Sequence, residues 1–137
     1  MAPPEPRPSR DGPCPYLDTR SVEFSNGQRI GKVRISADRP YPACFFYRLG
    51  DGAEDVRTWI VVATPAVAGA TVDAAAPVAT SDRADLPGGW SGGSQPTSDG
   101  AVYAVTRQDT AVVVTTDQRQ TVGARQIAAK VIAALHR

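Results

Sequence analysis

The chain is poor in the residues that most often carry chemistry. Its 137 residues include one histidine (His136), one asparagine (Asn26), and two cysteines, Cys14 and Cys44. The cysteines stand 30 residues apart, with no neighbouring Cys or His to complete a four-ligand set, which excludes a structural zinc site. The Cys-x-x-Cys spacing of redox motifs is missing as well. No apolar run approaches the ~20 residues that cross a bilayer. The start, Met1-Ala2-Pro3-Pro4-Glu5, lacks the apolar segment of a secretory signal. An excess of one charge is absent too: 15 Lys+Arg face 14 Asp+Glu, which is not the basic footprint of a nucleic-acid binder. No metal, cofactor or nucleic acid is expected.

What is present is enough for a core. Hydrophobic residues make up 42% of the sequence, and a chain of ~130 residues buries roughly two-thirds of its unfolded surface. One domain is expected. Proline is concentrated at the start, where Pro3, Pro4, Pro6, Pro8, Pro13 and Pro15 fall within 15 residues. Proline fixes φ and has no N–H, so residues 1–13 read as a disordered, extended linker. Residues 14–137 are then the folded unit.

Periodicity predicts its elements. Residues 15–24 read as a short helix ended by Asn26-Gly27. Gly31, Val33 and Ile35 alternate with Lys32, Arg34 and Ser36, the pattern of a half-wet strand. Residues 43–49, with Phe45, Phe46 and Tyr47, suit a central strand, and residues 56–63 return as a third. Thr64-Pro65 opens a helix through Ala76, which Pro77 stops. Residues 101–106 and 110–116 form a hairpin. Ala124, Ile127, Ala128, Val131 and Leu135 then make one apolar helical stripe. The expected class is α+β: an antiparallel sheet of about five strands packed by two to three helices, in the order α-β-β-β-α-β-β-α.

Cys14 and Cys44 bear on compartment. In an oxidising compartment a disulfide is the default, and in a reduced cytosol they are buried thiols. The bond is the reading adopted here. It fastens the weakly specified first helix to the central strand, and closing such a loop is worth about 3–4 kcal/mol in the chain-entropy model.

The candidate catalytic motif is Gly89-Trp90-Ser91-Gly92-Gly93, a literal G-x-S-x-G. In hydrolases it works at a strand-to-helix elbow, within reach of a histidine. Here neither a strand before it nor a helix after it is legible, and His136 is the penultimate residue, so no catalytic residue is assigned. The same stretch, residues 86–100, reads as a glycine-rich candidate binding loop around Gly89, Trp90, Ser91 and Gly92. Trp90 there either stands exposed, to stack on a sugar or anchor a protein, or folds back over the sheet. Asp51, Glu54 and Asp55 crowd one turn without the ligand spacing of a calcium loop, and read as a solvated hairpin.

Several segments together carry a resemblance: Cys14-Pro15-Tyr16-Leu17-Asp18, Asn26-Gly27-Gln28-Arg29, Ala43-Cys44-Phe45-Phe46-Tyr47-Arg48, Gly88-Gly89-Trp90 and Val114-Thr115-Thr116-Asp117-Gln118. In this order they resemble an actinobacterial cell-envelope family known only as a domain of unknown function. The resemblance implies secreted, lipoprotein-like or membrane-tethered proteins, with the domain extracytoplasmic and any membrane contact made through an anchor outside these residues. The leading expectation is a non-enzymatic module that binds an envelope protein, lipid or glycan. A hydrolase using surface carboxylates or Ser91, and a lipid-binding carrier, are the alternatives.

Overall fold

The computed structural model describes residues 1–135. His136, expected near a helix end, lies outside them. The described chain runs β1 (Arg10–Asp11), α1 (Thr19–Asn26), β2 (Ile30–Ile35), β3 (Cys44–Arg48), β4 (Glu54–Val62), α2 (Pro65–Ala75), β5 (Asp82–Leu86), β6 (Trp90–Pro96), β7 (Ala101–Arg107), β8 (Thr110–Thr116) and α3 (Val122–Leu135). All strands join one antiparallel sheet of eight, ordered β1-β2-β3-β4-β8-β7-β6-β5. The α+β, antiparallel character is as expected. The count of about five strands and the order α-β-β-β-α-β-β-α are not, because β1, β5 and β6 were read as linker and loop.

Each missed strand has a physical reason. Within the proline-rich start, residues 9–12 are free of proline and keep their donors. Ser9 N–H donates to the Ile35 carbonyl at 2.8 Å and Gly12 N–H to that of Val33 at 3.2 Å, with Arg10 and Asp11 opposite Ile35 and Arg34. The expected linker is therefore paired at its end. Further back Pro6 is buried, and Glu5 reaches Arg57 at 3.2 Å. In β5, Ala84 and Leu86 point inward between exposed Arg83 and Asp85, an alternation that Pro87 and the glycines beyond it obscure. Strand β6, Trp-Ser-Gly-Gly-Ser-Gln-Pro, has poor strand propensity, and pairing on both sides overrides it.

The sheet is covered on both faces. On one, α1 and α3 enclose a core that includes Val22, Ile35, Cys44, Phe46, Val56, Tyr103, Val112, Val114, Ile127 and Val131. On the other, the thin α2 packs Ala68, Val72 and Ala76 onto Val61, Val102, Ala104, Ala111 and Val113. Local signals set the helix ends. Thr64 accepts the Val67 N–H at 3.1 Å with Pro65 in the first turn. Asp18 accepts that of Ser21 at 3.2 Å, and Gly27 closes α1 with a left-handed φ of 74°. The first helix thus starts at Thr19 rather than residue 15.

Candidate functional site

The two cysteines meet. Cys14 and Cys44 form a disulfide, with Cα atoms 5.7 Å apart, a separation usual for such bonds. It ties the segment before α1 to β3, whose Cys44 is fully buried.

The proposed binding loop does not exist as a loop. Gly88 and Gly89, with φ of 96° and 87°, make the tight turn between β5 and β6, a conformation that favours glycine. Trp90 is 1% exposed. The Arg107 guanidinium sits 5.3 Å from its ring centre and donates to the Gly88 carbonyl at 3.1 Å. Trp90 is a core residue, folded back onto the sheet. Ser91 is exposed inside β6, between Asp85 and Thr106, so the G-x-S-x-G stretch lies along a strand and not at an elbow. Gly92 is there for closeness: a Cβ on it would stand 1.9 Å from the Ala104 carbonyl oxygen. The stretch is structural because the turn needs glycine and β7 leaves no room.

A different surface opens on the α2 side. Between that helix and the N-terminal segment lies a groove of about 290 Å³, lined among others by Pro3, Trp59, Ala75, Thr97 and Thr115. Trp59 is half-buried, pairing with Val113 across the β4–β8 seam. Arg57, two residues back on the same face, also lines the groove. Its guanidinium bonds Glu54 at 3.2 Å and Glu5 at 3.2 Å, and lies 5.2 Å from the Phe45 ring centre. One aromatic face, two hydroxyls and an ion pair therefore converge on one open-sided cleft.

A buried polar cluster occupies one end of the β4–β8 seam. Asp55 and Asp117 face each other there, the Asp117 N–H donating to the Asp55 carbonyl at 3.0 Å. The Asn26 carboxamide, at the end of α1, donates to both carboxyl groups at 2.9 Å. Arg48 donates to Asp117 at 2.7 Å and to Asp51 at 2.8 Å. Turned as these neighbours require, the Gln28 carboxamide also donates to Asp117 at 2.8 Å and to Asp55. Asp55 is 1% exposed, and its Oδ2 has no partner among the described residues. Burial, reinforced by the Asp117 charge, pushes its carboxyl up to about 7. The expected solvated hairpin is corrected here: Asp51 and Glu54 are solvated and paired with arginines, whereas Asp55 turns into the fold.

Sequence reasoning missed the groove and the cluster, because both assemble from distant segments. One signal was available: the single asparagine of the chain sits at a helix end and bonds two aspartates, 29 and 91 residues away. Among the described residues no three His, Cys, Asp or Glu side chains are grouped to hold a metal ion, and no helix is long and apolar enough to cross a membrane.

Comparison with known families places the chain. The family described as Domain of unknown function (DUF2020) matches residues 1–137, and the chain belongs to that family. No curated protein matches it.

Proposed function

We propose that this member of a family without assigned activity is a non-enzymatic, extracytoplasmic binding module of the cell envelope, and that its ligand is a glycan held in the groove over Trp59. The disulfide supports the compartment, since such bonds persist outside the reducing cytosol. The half-buried Trp59 carries the binding reading. An indole face stacks on the apolar face of a sugar ring, while Thr97, Thr115 and the Arg57–Glu5 pair offer hydroxyl and charged partners beside it. The open side of the groove suits a sugar chain better than an acyl chain, which needs enclosure in apolar surface.

For the hydrolase reading, Ser91 stands on a flat strand, and Asp55 is too buried to meet a substrate. Neither supports it.

The test uses the two tryptophans separately. A soluble preparation of bacterial cell-wall polysaccharide fragments is titrated into the protein while intrinsic fluorescence is read. A saturable change that persists in Trp90→Phe, together with a binding heat in titration calorimetry that vanishes in Trp59→Ala with circular dichroism unchanged, supports the reading. No change in the wild-type protein, or equal binding by Trp59→Ala, overturns it.

A further inference from the structure

The cluster at the seam brings together more negative charge than its surroundings compensate. Two carboxyl groups, Asp55 from β4 and Asp117 just past β8, share one donor nitrogen from Asn26. Among the described residues the only cation bonded to either is Arg48 from β3, which also serves the exposed Asp51 of the following turn. The remaining partners, Asn26 and Gln28, are neutral amides from the α1–β2 corner. From the first turn of α3, Gly123 packs there, its missing side chain leaving room for the Ser25 carbonyl and the Asn26 side chain, while the charged Arg125 of that turn hydrogen-bonds Tyr103. Burial and the neighbouring Asp117 charge both disfavour ionisation of Asp55, so its carboxyl holds a proton more tightly than a free one.

We propose that the Asn26–Asp55–Asp117 cluster is a proton-operated latch, which fastens the α1–β2 corner to the end of the sheet while the Asp55 carboxyl carries a proton and releases it when Asp55 ionises. The corner has the build for such movement. It turns on Gly27, at left-handed φ, and outside the cluster its backbone is tethered by Glu23 accepting the Ile30 N–H at 2.8 Å and by the Leu49 N–H donating to Arg29 at 2.8 Å. Both tethers leave Asn26 and Gln28 to the carboxyl pair. The sign follows from linkage: the closed corner binds the proton more tightly than the open one, so opening is suppressed at low pH and grows as pH rises through the closed-state value. Asp55 sets the upper end of that range at about 7.

Hydrogen exchange at the amides of Ile30 and Leu49, whose hydrogen bonds tie the corner down, corrected for the intrinsic pH dependence of exchange, reads its opening. Protection is expected to fall about tenfold per pH unit between pH 5 and 7 and to level off above, as for one linked proton. In Asp55→Asn, which keeps an oxygen for Asn26 and cannot ionise, the profile is expected to be flat within twofold. A flat wild-type profile, or the same slope in Asp55→Asn, overturns the proposal. If that variant fails to fold, the carboxyl carbon of Asp55 is titrated by NMR in the wild-type protein. A midpoint coinciding with that of the corner amides supports the latch, and separate midpoints overturn it.

Discussion

Gly92→Ala is the sharpest probe of why the glycine-rich stretch has its composition. On the backbone as it stands, the new methyl would lie 1.9 Å from the Ala104 carbonyl oxygen and 2.9 Å from the Val105 Cα. A side-chain carbon does not approach an oxygen that closely, so β6 and β7 must part by more than an ångström at this position. Both obstacles are backbone, so no rotamer change relieves the contact. Overpacking of this kind costs about 1–3 kcal/mol, and each β6–β7 hydrogen bond lost near Gly92 and Gly93 adds ~1 kcal/mol. The expected loss is ~3 kcal/mol or more. For a chain of this length, a kcal/mol moves the melting temperature by about 3–4 °C, so Tm should fall by ~10 °C. Gly69→Ala is the matched control. It lies within α2, where an added Cβ meets nothing within 4 Å, and gains about 1 kcal/mol of helix propensity. Differential scanning fluorimetry on both variants makes the comparison. If Gly92→Ala melts within 2 °C of the wild-type protein, the glycine is not there for strand contact and the structural account of this stretch is wrong.

The remaining predictions concern the neighbouring core and the covalent tie. Trp90→Ala should cost about 3–5 kcal/mol in urea unfolding, the usual loss for a fully buried aromatic, and a loss below ~1 kcal/mol would mean that the indole is not packed as described. Replacing Cys14 and Cys44 together by serine should cost about 3–4 kcal/mol, and the native protein should resist thiol alkylation until it is both unfolded and reduced. Full alkylation of the folded, unreduced protein would contradict the bond.

How much of this was legible in the sequence depended on how local the cause was. Thr64 and Pro65 announce α2 because cap and first turn are neighbours in the chain. The alternation of Gly31, Val33 and Ile35 marks β2, and the stripe from Ala124 to Leu135 marks α3, because one face of each is wet. The cysteine pair was legible because so few alternatives existed for two sulfurs. Strand β6 was not: Gly92 and Gly93 argue locally against a strand, and only β5 and β7 on either side make it one. Strand β1 was hidden by the prolines around it, although residues 9–12 keep their N–H groups. The exposure of Trp90 was left open and Trp59 was passed over, since an indole beside glycines and an indole in a valine-rich strand give no local cue to exposure. The structure buries the first and half-exposes the second, reversing where a binding surface was sought.

The polar groups along the seam also answer a question that the apolar pattern leaves open. Strands β4 and β8 join the two halves of the sheet, pairing Val56 with Thr116, Thr58 with Val114 and Ile60 with Val112. Strand β8 is almost wholly β-branched, and so are Val56, Thr58, Ile60 and Val62 along one face of β4. A slip of one residue would turn every inward side chain outward, but a slip of two keeps the alternation and exchanges one β-branched residue for another. Hydrophobic burial alone therefore discriminates weakly between this register and its nearest competitor. Hydrogen bonding does discriminate. Thr58 is fully buried, and its hydroxyl meets the Tyr16 hydroxyl at 2.9 Å, which in turn donates to the Pro42 carbonyl at 2.8 Å. Burial pushes the Tyr16 phenol well above its ordinary range, so it stays a neutral donor at any physiological pH. In a two-residue slip, Asn26 and Gln28 would likewise lose one of the two carboxyl groups they bridge, because Asp55 belongs to β4 and Asp117 follows directly on β8. Each buried polar group left without its partner costs about 1–3 kcal/mol, several such groups depend on one register, and together they outweigh what a β-branched exchange alters. The buried polar contacts at the seam thus select the alignment that the hydrophobic pattern only permits.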